Sequence, residues 1–396
     1  MTVLLFWGAA ALIVYTYLLF PLLVALRGAV RPRPWRQEEI TPSVSLIIAA
    51  HNEVDVIEEK INNLLSLDYP EDCLEIIIAS DGSDDGTNEV VARYEALNEG
   101  RGVRLLALPR NGKAVALNSA VAAASGDILV FSDANSIFAP DALRHITRSF
   151  ADSEVGGVAG DQHYRLPEGV DLTGQGEKQY WSLDRRLKIL ESLGGNAISA
   201  TGAIYAVRRS LFQPIPDGVT DDFYNSTGVI EQGYRLVFEP KAIAYETVSS
   251  SGQKQFQRKV RIITRGLTAV SMRRGLLNPL RHGFYAVQLF SHKVLRRLVV
   301  FPLAALFAVS LALVRRHPFY RLAALAQLAF YGTAAAGYIL EKRNLENRIS
   351  KFPIPISKLF SLPTYFCMVN LAALVAAINL LRGRRIVVWD TEERAS

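Results

Sequence analysis

Two short polar sequences follow apolar runs and could carry chemistry. Residues 81–87 (DGSDDGT) come directly after EIIIAS, and Asp81 could accept hydrogen bonds from a nucleotide base or ribose. Asp133 ends the run ILVFS, where a carboxylate is well placed to bind a divalent cation that bridges two phosphates. Asn135 points to the same side and offers a carbonyl oxygen. Each sequence is also typical of a turn before a helix.

Charged residues further along the chain suit a phosphorylated ligand. Lys113 follows residues 110–112 (RNG) and opens a predicted helix, where a cation suits a phosphate or a ribose; a solvated lysine is the common alternative. Asp221 and Asp222 are adjacent, and repulsion between them raises one pKa. A carboxylate that faces a cleft can act as a general base, whereas a helix N-terminus is the simpler explanation of such a pair.

A basic helix is predicted over residues 258–266 (RKVRIITRG). Arg258 and Arg261 are three residues apart and share one helix face, and Arg265 continues the helical spacing. Lipid phosphates are one partner for these guanidinium groups, and the diphosphate of a donor substrate is the other.

Alternating strand and helix patterns position these residues. Strands are predicted at 43–50, 74–79, 103–108 and 128–132, and helices at 54–66, 87–98 and 113–124. This order predicts an α/β fold with a mostly parallel sheet and helices on both faces. Ligands of such sheets bind at the carboxyl ends of the strands, where residues 51–53 (HNE), Asp81 and Asp133 all lie. Neither GxGxxG nor GxxxxGK[ST] is present, which argues against a Rossmann dehydrogenase and a P-loop ATPase.

The composition narrows the class of protein. The chain has 396 residues, of which half are apolar and 21% are charged, and its net charge is +6. That charge is too mild for a purely electrostatic nucleic-acid binder. Cys73 and Cys367 are far apart and form no CxxC pair, which excludes a disulfide framework and a cysteine zinc site.

The N-terminus is predicted to be a retained membrane anchor. Residues 2–26 carry no charge and would form a helix ~37 Å long, enough for a bilayer core of ~30 Å. Four arginines within residues 27–36 follow it, so the positive-inside rule places the next segment in the cytoplasm. Pro32 and Pro34 favour a stiff linker.

The C-terminal part is predicted to return to the membrane. Candidate spans are 298–314, 319–340 and 359–381, preceded by an amphipathic surface helix at 283–297. The predicted organisation is an anchor at 1–27, a catalytic domain at 37–282, the surface helix at 283–297, a membrane region at 298–382 and a tail at 383–396. Arginines at 315–316 and 382–385 conflict with the orientation of the first span, so the C-terminal topology stays open.

The order of the motifs resembles that of the membrane-bound glycosyltransferases of family 2. These motifs are AxHNE, DGSxDGT, a lysine, a DxD-like site, TG, a paired acid and a basic helix beside membrane spans. That family includes cellulose, chitin and hyaluronan synthases and bacterial N-acetylglucosamine polymerases. The resemblance covers about residues 40–275. It implies a GT-A fold, Rossmann-like and mostly parallel, flanked by transmembrane helices, and an inverting transfer from a nucleotide sugar.

The resemblance also implies a role for each matching residue. Asp222 would be the general base, and Asp133 and Asn135 would ligate Mg²⁺ or Mn²⁺. The acceptor would lie beside Thr201, Gly202 and Asp221. The nucleotide sugar would be held by Asn52, Glu53, Asp81, Lys113, Asp133, Arg258 and Arg261.

Three positions depart from the family pattern. Asn135 stands where the DxD-like motif has its second carboxylate, and Asp221 stands where the acid pair usually has glutamate. The helix motif QxxRW is represented by residues 258–262 (RKVRI). Arg261 keeps the arginine, but Ile262 offers no flat face for a sugar ring, which favours transfer of one or few sugars.

The sequence thus predicts a multi-pass enzyme of the inner or plasma membrane that transfers a sugar, with a UDP-sugar as the expected donor. The acceptor would be a polysaccharide or a lipid-linked molecule, and nucleic acid is not expected as a partner. The alternatives are a processive synthase with a secretion channel, a non-catalytic nucleotide-binding component and, least favoured, a transporter. The sugar, the acceptor and the oligomeric state do not follow from the sequence.

Overall fold

The computed structural model describes residues 1–97, 102–165, 184–247, 252–342 and 354–384. Most of the predicted tail at 383–396 lies outside these ranges. The domain boundaries set out above remain predictions.

One eight-stranded sheet forms the centre of the molecule. Its order is β3-β2-β1-β4-β7-β6-β8-β5. The strands are β1 (Val44–Ala50), β2 (Leu74–Asp81), β3 (Val103–Leu108), β4 (Ile128–Asp133), β5 (Ile137–Phe138), β6 (Val155–Arg165), β7 (Tyr205–Arg208) and β8 (Arg235–Thr247).

The sheet is mixed, because β7 joins it against the direction of its neighbours. The four strands predicted from the sequence are mutually parallel. By contrast, β7 is antiparallel to both β4 and β6, and β5 is antiparallel to β8. The α/β prediction is confirmed. The sequence did not predict the antiparallel strands, because β5 and β7 have only two and four residues, too few for a periodic signal.

Helices cover both faces of the sheet and extend beyond it. In chain order they are α1 (Thr2–Val30), α2 (Val54–Leu65), α3 (Thr87–Leu97), α4 (Lys113–Ala123), α5 (Ala142–Thr147), α6 (184–193), α7 (Asp221–Glu231), α8 (Gly252–Met272), α9 (Phe284–Leu298), α10 (Val300–Ala312), α11 (Pro318–Lys342) and α12 (Ile354–Leu381).

Strand β1 divides the core into two layers, and all seven of its residues are buried. Its alternate side chains face opposite sides of the sheet. Leu46 packs in the cluster that contains Ile57 of α2, while Ile47 packs in the cluster that contains Leu117 of α4. A strand buried on both faces shows a continuous apolar run, as the sequence of β1 does.

Hydrogen bonds hold the end of α1 and the segment after it against the domain. The Arg27 guanidinium donates to the Gly194 carbonyl at 2.9 Å and lies 4.5 Å from the centre of the Phe284 ring. The Trp35 indole donates to Ser149 Oγ at 3.0 Å, and Arg235 Nη2 donates to the Arg33 carbonyl at 2.7 Å. The predicted linker that contains Pro32 and Pro34 is therefore held against the domain.

Three helices among the described residues are long and apolar enough to cross a membrane: Thr2–Val30, Pro318–Lys342 and Leu359–Leu381. The predicted span at 298–314 differs, because α10 has 13 residues and reaches only ~20 Å. It is a candidate membrane span only together with α9, and the two helices are bent by 51° relative to each other.

Helix α9 is amphipathic, with its polar side turned toward the protein. Tyr285 Oη donates to the Ile198 carbonyl at 2.9 Å, and His292 Nδ1 lies 2.7 Å from a Glu191 carboxylate oxygen. His292 is buried, whereas Phe290 is exposed. His292 and Tyr285 of this helix therefore face the protein, and the position of the helix at the membrane surface remains a prediction.

Candidate active site

The loops that follow β1 and β2 are joined by hydrogen bonds at the carboxyl edge of the parallel strands, the region called the cleft below. The Asn52 amide donates to Asp84 Oδ1 at 2.9 Å, and the Asp84 N–H donates back to Asn52 Oδ1 at 3.0 Å. The Glu53 N–H donates to Thr87 Oγ1 at 2.9 Å. Asn52 has a φ of 53°, a left-handed conformation that asparagine tolerates better than most residues.

Asp81 organises the next loop from beneath. It is 1% exposed, and its carboxylate accepts hydrogen bonds from the Asn111 N–H at 2.7 Å and the Gly112 N–H at 2.9 Å. Arg110 Nη1 lies 3.2 Å from its other oxygen. Asp81 thus holds the turn that leads into Lys113, and a direct contact with a nucleotide would use its remaining acceptor capacity.

Lys113 joins two acids from distant parts of the chain. Its ammonium nitrogen lies 2.8 Å from Asp133 Oδ1 and 3.2 Å from Asp221 Oδ1. Burial would lower the pKa of Lys113, but the charges of Asp133 and Asp221 outweigh it and raise the pKa above its ordinary value. The same contact holds the pKa of Asp133 below its ordinary value against the effect of burial. The carboxyl groups of Asp133 and Asp221 therefore share one lysine ammonium group.

Gly202 lies directly against the carboxylate of Asp133. The two backbones are joined by a hydrogen bond of 3.1 Å from the Asp133 N–H to the Gly202 carbonyl. A Cβ atom at position 202 would lie only 2.5 Å from Asp133 Oδ2. Thr201 is adjacent, and among the described residues its buried hydroxyl has no hydrogen-bond partner.

Asp222 lies at the start of α7, where the charge of the Lys113 ammonium group acts on its carboxyl group. Its Oδ1 accepts a hydrogen bond of 2.7 Å from the Phe223 N–H. Burial, and then the charge of Asp221, raise the pKa of Asp222 to about 6, against the smaller effects of Phe223 and Lys113. A carboxyl with that pKa is ionised at neutral pH and is a better proton acceptor than an ordinary aspartate.

The basic helix α8 faces the same cleft. Arg258 Nη2 lies 2.9 Å from Glu246 Oε1 on β8, and its charge also lowers the pKa of Asp133. Burial, and then the neighbouring Arg261, lower the pKa of Arg265, while Asp221 acts in the opposite direction. Arg258 and Arg265 therefore lie on the side of α8 that is near the acids.

The oxygen donors of the cleft fit a divalent cation only in part. Asp133 and Asn135 supply carboxylate and amide oxygens, which Mg²⁺ and Mn²⁺ prefer. In the part of the chain that the structure describes, no group of three or more histidine, cysteine or acidic side chains could hold a metal. These residues fit a cation that is shared with substrate phosphates, as is usual for Mg²⁺.

Sequence reasoning missed Lys60, which lies behind Asp133. Its side chain is fully buried, and its Nζ donates to Ser132 Oγ at 2.8 Å. A signal was present, because Lys60 is three residues from Ile57 and four from Leu64, on the apolar face of α2. Because a lysine is seldom fully buried without a partner, a lysine on the apolar face of a helix indicates either a polar partner inside the protein or a functional role.

The sequence relatives are polysaccharide synthases. Residues 45–215 match the family model described as glycosyl transferase family 2. Poly-beta-1,6-N-acetyl-D-glucosamine synthase of Staphylococcus aureus (strain MSSA476) is 28% identical over 241 residues, 60% of this chain and 57% of the relative. The Staphylococcus epidermidis enzyme of the same name is 26% identical over 223 residues, 55% of this chain and 53% of the relative. The chain thus spans about half the length of the curated relatives it matches.

A solved structure has the same overall fold. The mannosyltransferase PcManGT from Pyrobaculum calidifontis, in complex with GDP-Man and Mn²⁺, superposes with a TM-score of 0.69 at 23% identity. The match covers 96% of this chain and all of that one. Residues 45–215 of this chain are thus similar to glycosyl transferase family 2, and the mixed α/β sheet has the GT-A-like fold of that mannosyltransferase.

Proposed function

We propose that the protein transfers a sugar from a nucleotide-diphosphate sugar to an acceptor hydroxyl at a membrane surface. The observation that carries the proposal is the convergence of Asp133, Asp221 and Asp222 around Lys113 at the carboxyl end of the sheet. A proton acceptor thus lies beside a site for a diphosphate and its cation. The names of the relatives make N-acetylglucosamine donors the first to test.

The proposed reaction is a single displacement with inversion. Asp222 takes the proton of the acceptor hydroxyl while that oxygen forms a bond to the anomeric carbon. The bond between the anomeric carbon and the diphosphate oxygen breaks, and the nucleoside diphosphate leaves with the electron pair. Because charge grows on the leaving group, Lys113, Arg258 and Arg261 lower the barrier by offsetting that charge.

A divalent cation is proposed at Asp133, with Asn135 as a second oxygen donor. When bound, the cation supplies positive charge to the two phosphates of the donor. Mn²⁺ in the structure of the mannosyltransferase supports this proposal, and the choice between Mg²⁺ and Mn²⁺ is left to the assay below. Lys113 meets Asp133 through one oxygen, so the carboxylate keeps further acceptor capacity for a metal.

We further propose that the cleft faces the cytoplasm and that the acceptor arrives at the bilayer surface. Helix α8 supports the position at the bilayer surface, because Ile263 and Leu267 pack against Ala372 and Ala376 of the membrane-type helix α12. The arginines of the cleft and an apolar span are thus parts of one packed unit. The arginines within residues 27–36 support the cytoplasmic side.

A processive synthase is a second candidate, and the names of the relatives favour it. Ile262 favours the first candidate, because it cannot stack on a pyranose ring as an aromatic residue does. Product length separates the two: a synthase releases polymer, whereas single transfer gives a product with one added sugar.

The test is release of nucleoside diphosphate by the purified protein in nanodiscs. UDP- and GDP-sugars are supplied with Mn²⁺ or Mg²⁺, with and without bacterial lipid extract, beside the Asp222→Asn variant as the matched control. We expect release that requires one sugar, a metal and Asp222. Equal release by the Asp222→Asn protein would refute the role of the base, and absence of release under every condition would favour a binding protein.

A further inference from the structure

Lys60 is buried inside the domain. It is 0% exposed, and among the described residues no carboxylate oxygen lies within ion-pair distance of its Nζ. Its contacts are the Ser132 hydroxyl at 2.8 Å, the Ser136 carbonyl, and the Phe138 ring, whose centre is 4.1 Å away. Every one of these partners belongs to the segment 132–138.

The lysine bridges the two ends of the short segment that carries the proposed metal ligands. Ser132 precedes Asp133, and Ser136 follows Asn135. The Ser132 hydroxyl also lies 2.9 Å from the Ala203 carbonyl, next to Gly202 on the acceptor side. The amine therefore connects α2 to the segment 132–136 and, through the Ser132 hydroxyl, to Ala203 beside Gly202.

Stability alone does not explain a lysine at this position. Taking an ammonium group out of water is costly, and burial lowers the pKa of Lys60 to about 7, with Asp133 acting in the opposite direction. An apolar side chain of similar length would fit the apolar face of α2 and avoid that cost. Buried ionic groups are often replaced by apolar ones with no loss of stability.

We propose that Lys60 is a positioning residue that fixes the segment 132–136, so that Asp133 and Asn135 present their oxygens together to the cation and diphosphate. The inference rests on the proposed function, since it acts through the ligands of that cation. It predicts that loss of the amine weakens metal use far more than it weakens the fold.

The test is Lys60→Met, with Lys241→Met as the matched control because Lys241 is exposed. Hydrogen–deuterium exchange of the full chain reports on the segment without need of activity. We expect the Ser136 amide, which donates to the Asp133 carbonyl at 3.2 Å, to exchange at least about tenfold faster in Lys60→Met, with β1 and β2 unchanged. Thermal stability should stay level or rise.

The functional readout is the Mn²⁺ concentration that gives half-maximal nucleoside diphosphate release. It should rise at least about tenfold in Lys60→Met, with the acceptor KM unchanged, whereas Lys241→Met matches the wild type. A fall in Tm with an unchanged Mn²⁺ requirement would overturn the proposal in favour of a structural role, as would unchanged exchange at Ser136. A wild-type protein that needs no metal would instead refute the proposed function.

A second variant keeps the test decisive if Lys60→Met does not fold. Ser132→Ala removes one partner of the amine and the link to Ala203, and leaves the rest of the core in place. We expect the same direction of change in Ser136 exchange and in the Mn²⁺ requirement, at several-fold magnitude. Wild-type behaviour of Ser132→Ala in both measurements would overturn the proposal.

Discussion

Replacing Gly202 by alanine tests whether the position of the Asp133 carboxylate sets the rate. The added Cβ would lie 2.5 Å from Asp133 Oδ2, whereas ordinary contact begins at 3.4 Å. The carboxylate must therefore move by 0.9 Å, the difference of those two distances. Gly202 is not among the residues with positive φ, so alanine suits the backbone and the effect comes from this contact alone.

The expected result is a large loss of activity with a small loss of stability. A misplacement of ~1 Å at a catalytic group costs about 10²-fold in rate, which corresponds to ~2.7 kcal/mol of transition-state free energy. Because the Asp133 side chain is 35% exposed and can shift toward solvent, the stability cost should be ~1 kcal/mol, the low end for an added methyl group.

The assay is nucleoside diphosphate release at saturating donor, as a function of Mn²⁺, beside thermal unfolding of the same preparation. Gly332→Ala is the matched control, since a Cβ at that position meets nothing within 4 Å and lies in the helix α11. We expect a higher Mn²⁺ requirement and lower kcat for Gly202→Ala only. Activity within twofold of the wild type would refute the argument that this carboxylate must stay in place.

Four further predictions concern the same cleft. Because the pKa of Asp222 is raised to about 6, activity should fall about tenfold per pH unit below 6; a flat profile from pH 5 to 8 would contradict this. The folded protein holds that proton more tightly than the unfolded chain, so stability falls as pH rises from about 4 to 6, and Asp222→Asn should unfold at a higher temperature than the wild type at pH 8. Lys113→Met leaves two acids without their shared cation, so Mn²⁺ without nucleotide should bind at least about tenfold tighter by electron paramagnetic resonance; unchanged affinity would argue against this role of Lys113. Asp81→Ala removes the acceptor of the Asn111 and Gly112 amides and should cost about 1–3 kcal/mol in urea unfolding, with a higher donor KM; wild-type stability would show that the loop needs no such acceptor.

The sequence predicted local structure and the ends of the parallel strands well, because both depend on periodicity. The apolar run of β1 and the spacing of Ile57, Ile61 and Leu64 in α2 report burial within a few residues. The family resemblance is confirmed over residues 45–215 by the family model, and its motifs at residues 51–53, 81–87 and 133–135 lie at strand ends that periodicity locates. The metal, donor and base assignments were predictions at that stage and remain proposals.

The sequence by itself determined that parallel strands bring Asp81 and Asp133 to one edge of a sheet, and that uncharged helices lie at both ends of the chain. Only the tertiary structure decided that Lys113 meets Asp133 and Asp221, that Lys60 lies beneath the segment 132–136, and that the polar face of α9 packs on the protein. These contacts join residues that are 20 to more than 100 positions apart. Such pairing depends on strand order and helix packing, which the local spacing of apolar residues does not determine.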